Sequence, residues 1–118
     1  DECPAETISG KYLGKSDFGQ RMTVEFFKNS KGTLSYKAII VGYENQPVTV
    51  VVDGKAHTVP ELGVNSYISL GCSNGKLNGV TRYEGRLYKG EYVFGTDSFT
   101  INSTAPKEST SVFKKTVD

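Results

Sequence analysis

His57 is the single histidine of this chain, and it stands just after the tight-turn pair Asp53-Gly54 in Val52-Asp53-Gly54-Lys55-Ala56-His57-Thr58-Val59-Pro60. A general base must lie within hydrogen-bond reach of the proton it takes, and a nucleophilic Ser, Cys or Thr must lie as close to its base. No such partner is singled out by spacing, so His57 reads as a polar strand residue. Metal binding needs a cluster of ligands; without a second histidine or an acidic cluster, no metal site and no cofactor are expected. Glu91 and Asp97 could meet in space, yet nothing in their spacing marks a carboxylate pair for glycoside chemistry. The glycine-rich turns do not lead into helices, which removes phosphate cradles. No catalytic residue is assigned, and a non-enzymatic protein is expected.

Cys3 and Cys72 are the only cysteines. An even count in a small chain, with no Cys-x-x-Cys or zinc spacing, reads as one disulfide and an oxidising compartment. The alternative is two unrelated buried thiols. The chain begins at Asp1, as a secreted or periplasmic product does after loss of a signal peptide, although a trimmed piece would look the same. Asn102-Ser103-Thr104 is a glycosylation sequon, usable only in a eukaryotic secretory setting.

Fourteen Lys and Arg against 13 Asp and Glu leave a formal charge of +1. Lys114-Lys115 is the only basic pair near the C-terminus and reads as a solvated strand end. Phosphate backbones require clustered basic surface, so nucleic acid is not an expected partner. No apolar run approaches the roughly 20 residues that cross a bilayer, and no membrane span is expected. The 118 residues suffice for one core, hence one domain over residues 1–118.

The elements that would position these residues are strands. Met22, Val24 and Phe26 alternate onto one face, and Leu34, Tyr36, Ala38 and Ile40 do the same on the return. Strands are expected over Ile8–Leu13, Arg21–Lys28, Thr33–Gly42, Val48–Val52, Lys55–Val59, Asn65–Cys72, Glu91–Phe94, Ser98–Ser103 and Ser111–Val117. Leu77–Tyr88 is less regular, with Gly79 and Gly85 expected at bulges or bends. Asp53-Gly54 is the strongest two-residue hairpin signal and predicts that its flanking strands pair. In Asn65–Cys72 the aliphatic set Ile68 and Leu70 with Cys72 is expected inside. No stretch combines helical spacing with a start cap and a stop glycine. The 13 glycines fall mostly at turns roughly 8 to 12 residues apart. Short connections favour an all-β, antiparallel, up-and-down barrel of about eight strands.

Ser9-Gly10-Lys11-Tyr12, the loop ending at Gly19, Met22-Thr23-Val24 and Gly32-Thr33-Leu34-Ser35-Tyr36 resemble the opening of the avidin and streptavidin family. The Gly-x-aromatic start is shared with lipocalins, and the placement of Cys3 and Cys72 is similar to the avidin disulfide. The resemblance covers about a third of the chain and implies a calycin-type barrel with a ligand cup. It places Tyr12 where a tryptophan opens the fold, Tyr36 where a tyrosine contacts ligand, and Ser16 in the loop carrying polar contacts. Biotin in that family is held by several tryptophans; this chain has none, which argues against tight biotin binding. Val52–Pro60 is also similar to a strand-turn-strand segment of periplasmic lysozyme inhibitors, whose inhibitory loop would correspond to Gly63-Val64-Asn65-Ser66.

Seven Tyr and six Phe can line a cavity or fill a core in a barrel of that size. The expected function is binding a small, partly apolar ligand, with Tyr12, Ser16, Phe26, Tyr36 and Tyr67 as candidate ligand residues. Phe18 would plug one barrel end. The alternative is a protein-binding module, a lysozyme-inhibitor-like protein or an adhesin or effector, acting through the loops Gly14–Gly19 and Gly42–Pro47. Tyr43, Tyr67, Tyr83, Tyr88 and Tyr92 would then form an outer patch suited to an interface. Phe27 and Ile39, opposite the core set, leave a homo-oligomer open.

Overall fold

The computed structural model describes residues 3, 5–16 and 19–116. A four-residue helix α1 (Ala5–Ile8) precedes ten strands: β1 (Gly10–Lys15), β2 (Arg21–Lys28), β3 (Leu34–Ile40), β4 (Val48–Val51), β5 (Ala56–Thr58), β6 (Tyr67–Ser73), β7 (Lys76–Tyr83), β8 (Arg86–Phe94), β9 (Ser98–Ala105) and β10 (Ser109–Lys115). All belong to one antiparallel sheet in the order β4-β3-β2-β1-β10-β9-β8-β7-β6-β5. The up-and-down barrel expected from the short connections is present, with ten strands rather than about eight.

The difference lies at Asp53-Gly54. β4 pairs with β3 and β5 pairs with β6, but β4 and β5 form no ladder with each other. The turn is local: the Asp53 carboxylate Oδ1 accepts from the Lys55 amide at 2.9 Å, while the Gly54 amide donates to the Leu70 carbonyl at 2.8 Å. The hairpin expected there is therefore corrected, because Gly54 is drawn onto β6 and the two flanking strands diverge. They remain two edges of a nearly closed barrel instead of one closed pair.

The Leu77–Tyr88 stretch breaks at Glu84-Gly85, both at positive φ (51° and 77°), as a two-residue turn between twisted strands requires. Gly79 keeps regular register; the irregularity falls between Lys89 and Gly90 on the β8–β9 side.

Alternation puts Met22, Val24, Phe26, Tyr36, Ala38, Ile68, Leu70, Leu77, Phe99 and Phe113 inside, all buried. The expected inward set of β6 is thus present, with Cys72 partly buried and packed on the core. Connections alternate between the two ends of an up-and-down barrel. One end carries α1, the β2–β3 turn, the β4–β5 turn, the β6–β7 turn and the β8–β9 turn. It is closed by Cys3 and Ile8, both buried, and Cys3 is bonded to Cys72 across a sequence separation of 69. Closing so long a loop contributes on the order of 4 kcal/mol in the loop-entropy model. The opposite end carries the β1–β2, β3–β4, β5–β6, β7–β8 and β9–β10 connections and remains open.

Candidate functional site

The closed half of the barrel is filled by rings. Phe99 has no exposed surface; it stacks on Phe113 with centroids 4.8 Å apart, meets Tyr12 edge-on at 4.8 Å and lies 5.6 Å from Tyr92. Phe26 joins from β2, 5.5 Å from Phe94 and 5.4 Å from Tyr36. Edge-to-face and offset contacts suit the ring quadrupoles, so this layer is a packed core. Ten strands enclose more width than eight, and the aromatic layer takes up that width in one half only.

Above it, toward the open end, lies a small cavity of about 50 Å³ that opens to solvent. Its walls differ. Met22, Val24, Ala38, Ile40, Val48, Leu62 and Ile68 form an apolar wall on the β2–β6 side. Thr81, Tyr88 and Ser103 on β7–β9, with Ser16 at the end of β1, bring hydroxyls to the other side. Gly79 and Gly90 pair directly across β7 and β8 and both line the cavity. A Cβ on Gly79 would lie 2.8 Å from Leu70 Cδ2, and one on Gly90 2.8 Å from Ile101 Cγ2. Neighbouring side chains thus lie over both glycines, and the polar wall has room for them because these two positions carry no side chain.

Of the candidate ligand residues, Ser16 and Tyr36 line this cavity. Ser16 is buried, its hydroxyl accepting from the Gln20 amide at 3.3 Å. Tyr12 and Phe26 are inside but belong to the aromatic layer; the Tyr12 hydroxyl donates to the Ile8 carbonyl at 2.8 Å. Burial, with the charge of Asp97 second, pushes the Tyr12 phenol above its ordinary pKa. Tyr67 takes the outward side of β6, since Ile68 and Leu70 occupy the inward positions; this corrects its expected place in the cup. Phe18, the expected plug, lies outside the described residues.

The five tyrosines expected as an outer patch, Tyr67 among them, do not form one. Tyr92 belongs to the aromatic layer and Tyr88 to the cavity wall. Tyr43 and Tyr83 share a groove at the open end with Gln20, Ile40, Gln46, Glu61 and Leu62. The Tyr83 phenol is pushed up by partial burial, then by Glu84, Tyr43 and Tyr88. Around this end stand Val41 (51% exposed), Tyr43 (58%), Val64 (91%) and Leu87 (40%).

His57 is at the closed end, its Nε2 2.8 Å from Asp53 Oδ1 in an exposed pair. That pair is far in the topology from the cavity. Among the described residues no group of three or more His, Cys, Asp or Glu could hold a metal ion.

No protein-family model matches the chain, and no curated protein matches it. The site is read from its own chemistry. Tyr88, which the sequence reading did not place inside, had a visible signal: with Gly90, Tyr92 and Phe94 it keeps period two along β8, but the glycines nearby made the stretch look irregular.

Proposed function

We propose that this is a binding protein that takes a small, largely apolar guest end-on through the open end of the barrel. The observation that carries this reading is the division of the interior: one half filled by rings, the other a two-walled cavity opening to solvent. The enclosed room is well below the roughly 300–1,000 Å³ of drug-sized ligand sites, so the guest is a slender group with its remainder in the mouth. An oxidising compartment, secreted or periplasmic, fits the Cys3–Cys72 bond. A barrel of calycin type fits the same use, with a guest other than biotin.

The test is titration of the protein with n-octanol, followed through the methyl resonances of Met22, Ile40, Ile68 and Ile101. Saturable shifts confined to these residues are expected, and Ala38→Leu, which grows into the buried apolar wall, should abolish them. Shifts spread over the outer surface, or none at all, would overturn the reading.

A second reading is favoured by the rim. Val41, Tyr43 and Val64 on connections, with Leu87 at the start of β8, expose large apolar groups at one end, as a protein-binding or inhibitory surface does. A direct lysozyme-inhibition assay tests its most specific form: inhibition relieved by Val64→Ser supports it, and no inhibition by the unaltered protein removes it.

A further inference from the structure

We propose that the open end carries a site of its own, separate from the cavity: the groove lined by Tyr43 and Tyr83 takes one neutral sugar ring, as at the end of a glycan. Its volume is about 230 Å³, below that of drug-sized sites and in keeping with a single ring. The strands beneath it place three of its side chains. Ile40 and Tyr83 continue the inward alternation of Ala38 on β3 and Thr81 on β7, and Gln20 has the parity of Met22 on β2. Tyr43 and Gln46 come from the β3–β4 connection, where the Tyr43 amide donates to the Ile40 carbonyl at 2.9 Å and the Gln46 amide to the Tyr43 carbonyl at 3.0 Å. Glu61 and Leu62 come from the short helical turn Pro60–Leu62, held by the bond from the Leu62 amide to the Val59 carbonyl at 2.9 Å. Hydrogen-bonded turns present these groups in a set geometry, which lowers the ordering cost of binding.

The chemistry of the groove is that of a polyol site. Tyr43 is largely exposed, and the negative face of a phenol ring suits the weakly positive C–H face of a pyranose. Beside the two rings stand two primary amides and one carboxylate. Among the described residues the side chains of Gln20, Gln46 and Glu61 make no hydrogen bond or ion pair, so the groove offers donors and acceptors together. Neighbouring sugar hydroxyls each donate and accept, and an amide answers such a pair with its N–H and C=O. Among the described residues no ammonium or guanidinium lines the groove, which disfavours an anion. A quaternary ammonium would use the rings and Glu61 but leave both amide donors idle. A neutral ring bearing hydroxyls uses donors, acceptors and ring faces alike, while Ile40 and Leu62 give it an apolar floor.

The experiment titrates the protein with methyl β-D-glucoside, methyl α-D-mannoside and tetramethylammonium chloride, following the side-chain amide resonances of Gln20 and Gln46. At least one glycoside should give saturable shifts at both amides, unchanged by added salt because the ligand is neutral. Tyr43→Ala, a change at an exposed loop position whose folding is checked by its thermal transition, should weaken that glycoside about tenfold or more. Tyr43→Phe keeps the ring face and should stay within about threefold. Absence of shifts with both glycosides, or shifts that Tyr43→Ala leaves alone, overturns the proposal. So does a loss in Tyr43→Phe equal to that in Tyr43→Ala, since the ring face is then not what binds. Tighter binding of tetramethylammonium than of either glycoside, weakened by salt, overturns it in favour of a cation cage. The n-octanol titration reports the cavity separately, so each of these failures leaves the cavity reading standing.

Discussion

The Tyr12 hydroxyl and the Ile8 carbonyl, 2.8 Å apart, tie the interior of the barrel to the helical turn that caps it. Tyr12 is 2% and Ile8 3% exposed, so neither partner has water to replace the other. The bond therefore links the aromatic layer and the end closure in one cooperative unit.

Tyr12→Phe should cost about 1–3 kcal/mol, the range for leaving a buried acceptor unsatisfied. The ring packing on Phe99 survives the change. Chemical denaturation should show a lower midpoint with an unchanged slope, and amide exchange should rise first across α1.

The same hydroxyl sets an alkaline limit. Burial and Asp97 raise the Tyr12 pKa in the folded protein, so the neutral phenol is the form that the fold favours. Its contribution is complete below the unfolded tyrosine value of about 10 and is lost as pH rises through the higher folded value. Thermal midpoints measured from pH 9 upward should fall, and the fall should be smaller in Tyr12→Phe. Equal slopes in the two proteins would refute the assignment.

Gly14→Ala should be strongly destabilising although glycine there has an ordinary backbone. A Cβ would sit 2.6 Å from the Val112 carbonyl oxygen and 2.8 Å from the Phe113 ring, and the carbonyl belongs to the β1–β10 junction, where Gly14 pairs with Phe113. Overpacking of this kind costs about 1–3 kcal/mol or more. Gly32→Ala, at φ 80° in an open turn with nothing near its Cβ, isolates the backbone cost alone, and comparison of the two midpoints separates the effects.

Asp53 titrates on the acid side. The Lys55 amide, then the His57 side chain, hold its carboxyl below the usual range. Its contribution is present above the unfolded value of about 4 and is lost as pH falls through the lower folded value. Because the pair is exposed, Asp53→Asn should cost under about 1 kcal/mol at neutral pH and flatten the stability profile below pH 4. A profile unchanged by the substitution would show that the pair contributes nothing to stability.

Period-two alternation made the core legible. Met22-x-Val24-x-Phe26 and Tyr36-x-Ala38 face inward as the sequence implies, and Cys3 meets Cys72. Closure was not legible, since Asp53-Gly54 carries a hairpin signal, whereas the hydrogen bond from the Gly54 amide to Leu70 on β6 is a tertiary contact that no local pattern reveals. The cavity was half legible. Tyr36 and Ser16 line it, but Tyr12 and Phe26 pack below it, because which layer of an alternating strand meets a void depends on what fills the layer beneath.

The unladdered line between β4 and β5 gives the wall a property that a fully bonded cylinder lacks. Every other junction resists widening with a row of amide bonds, but this one is joined through its short turn, the bond from the Gly54 amide to the Leu70 carbonyl and the side chains packed behind it. The girth of the molecule is therefore least constrained along this one meridian, where widening would break no strand ladder.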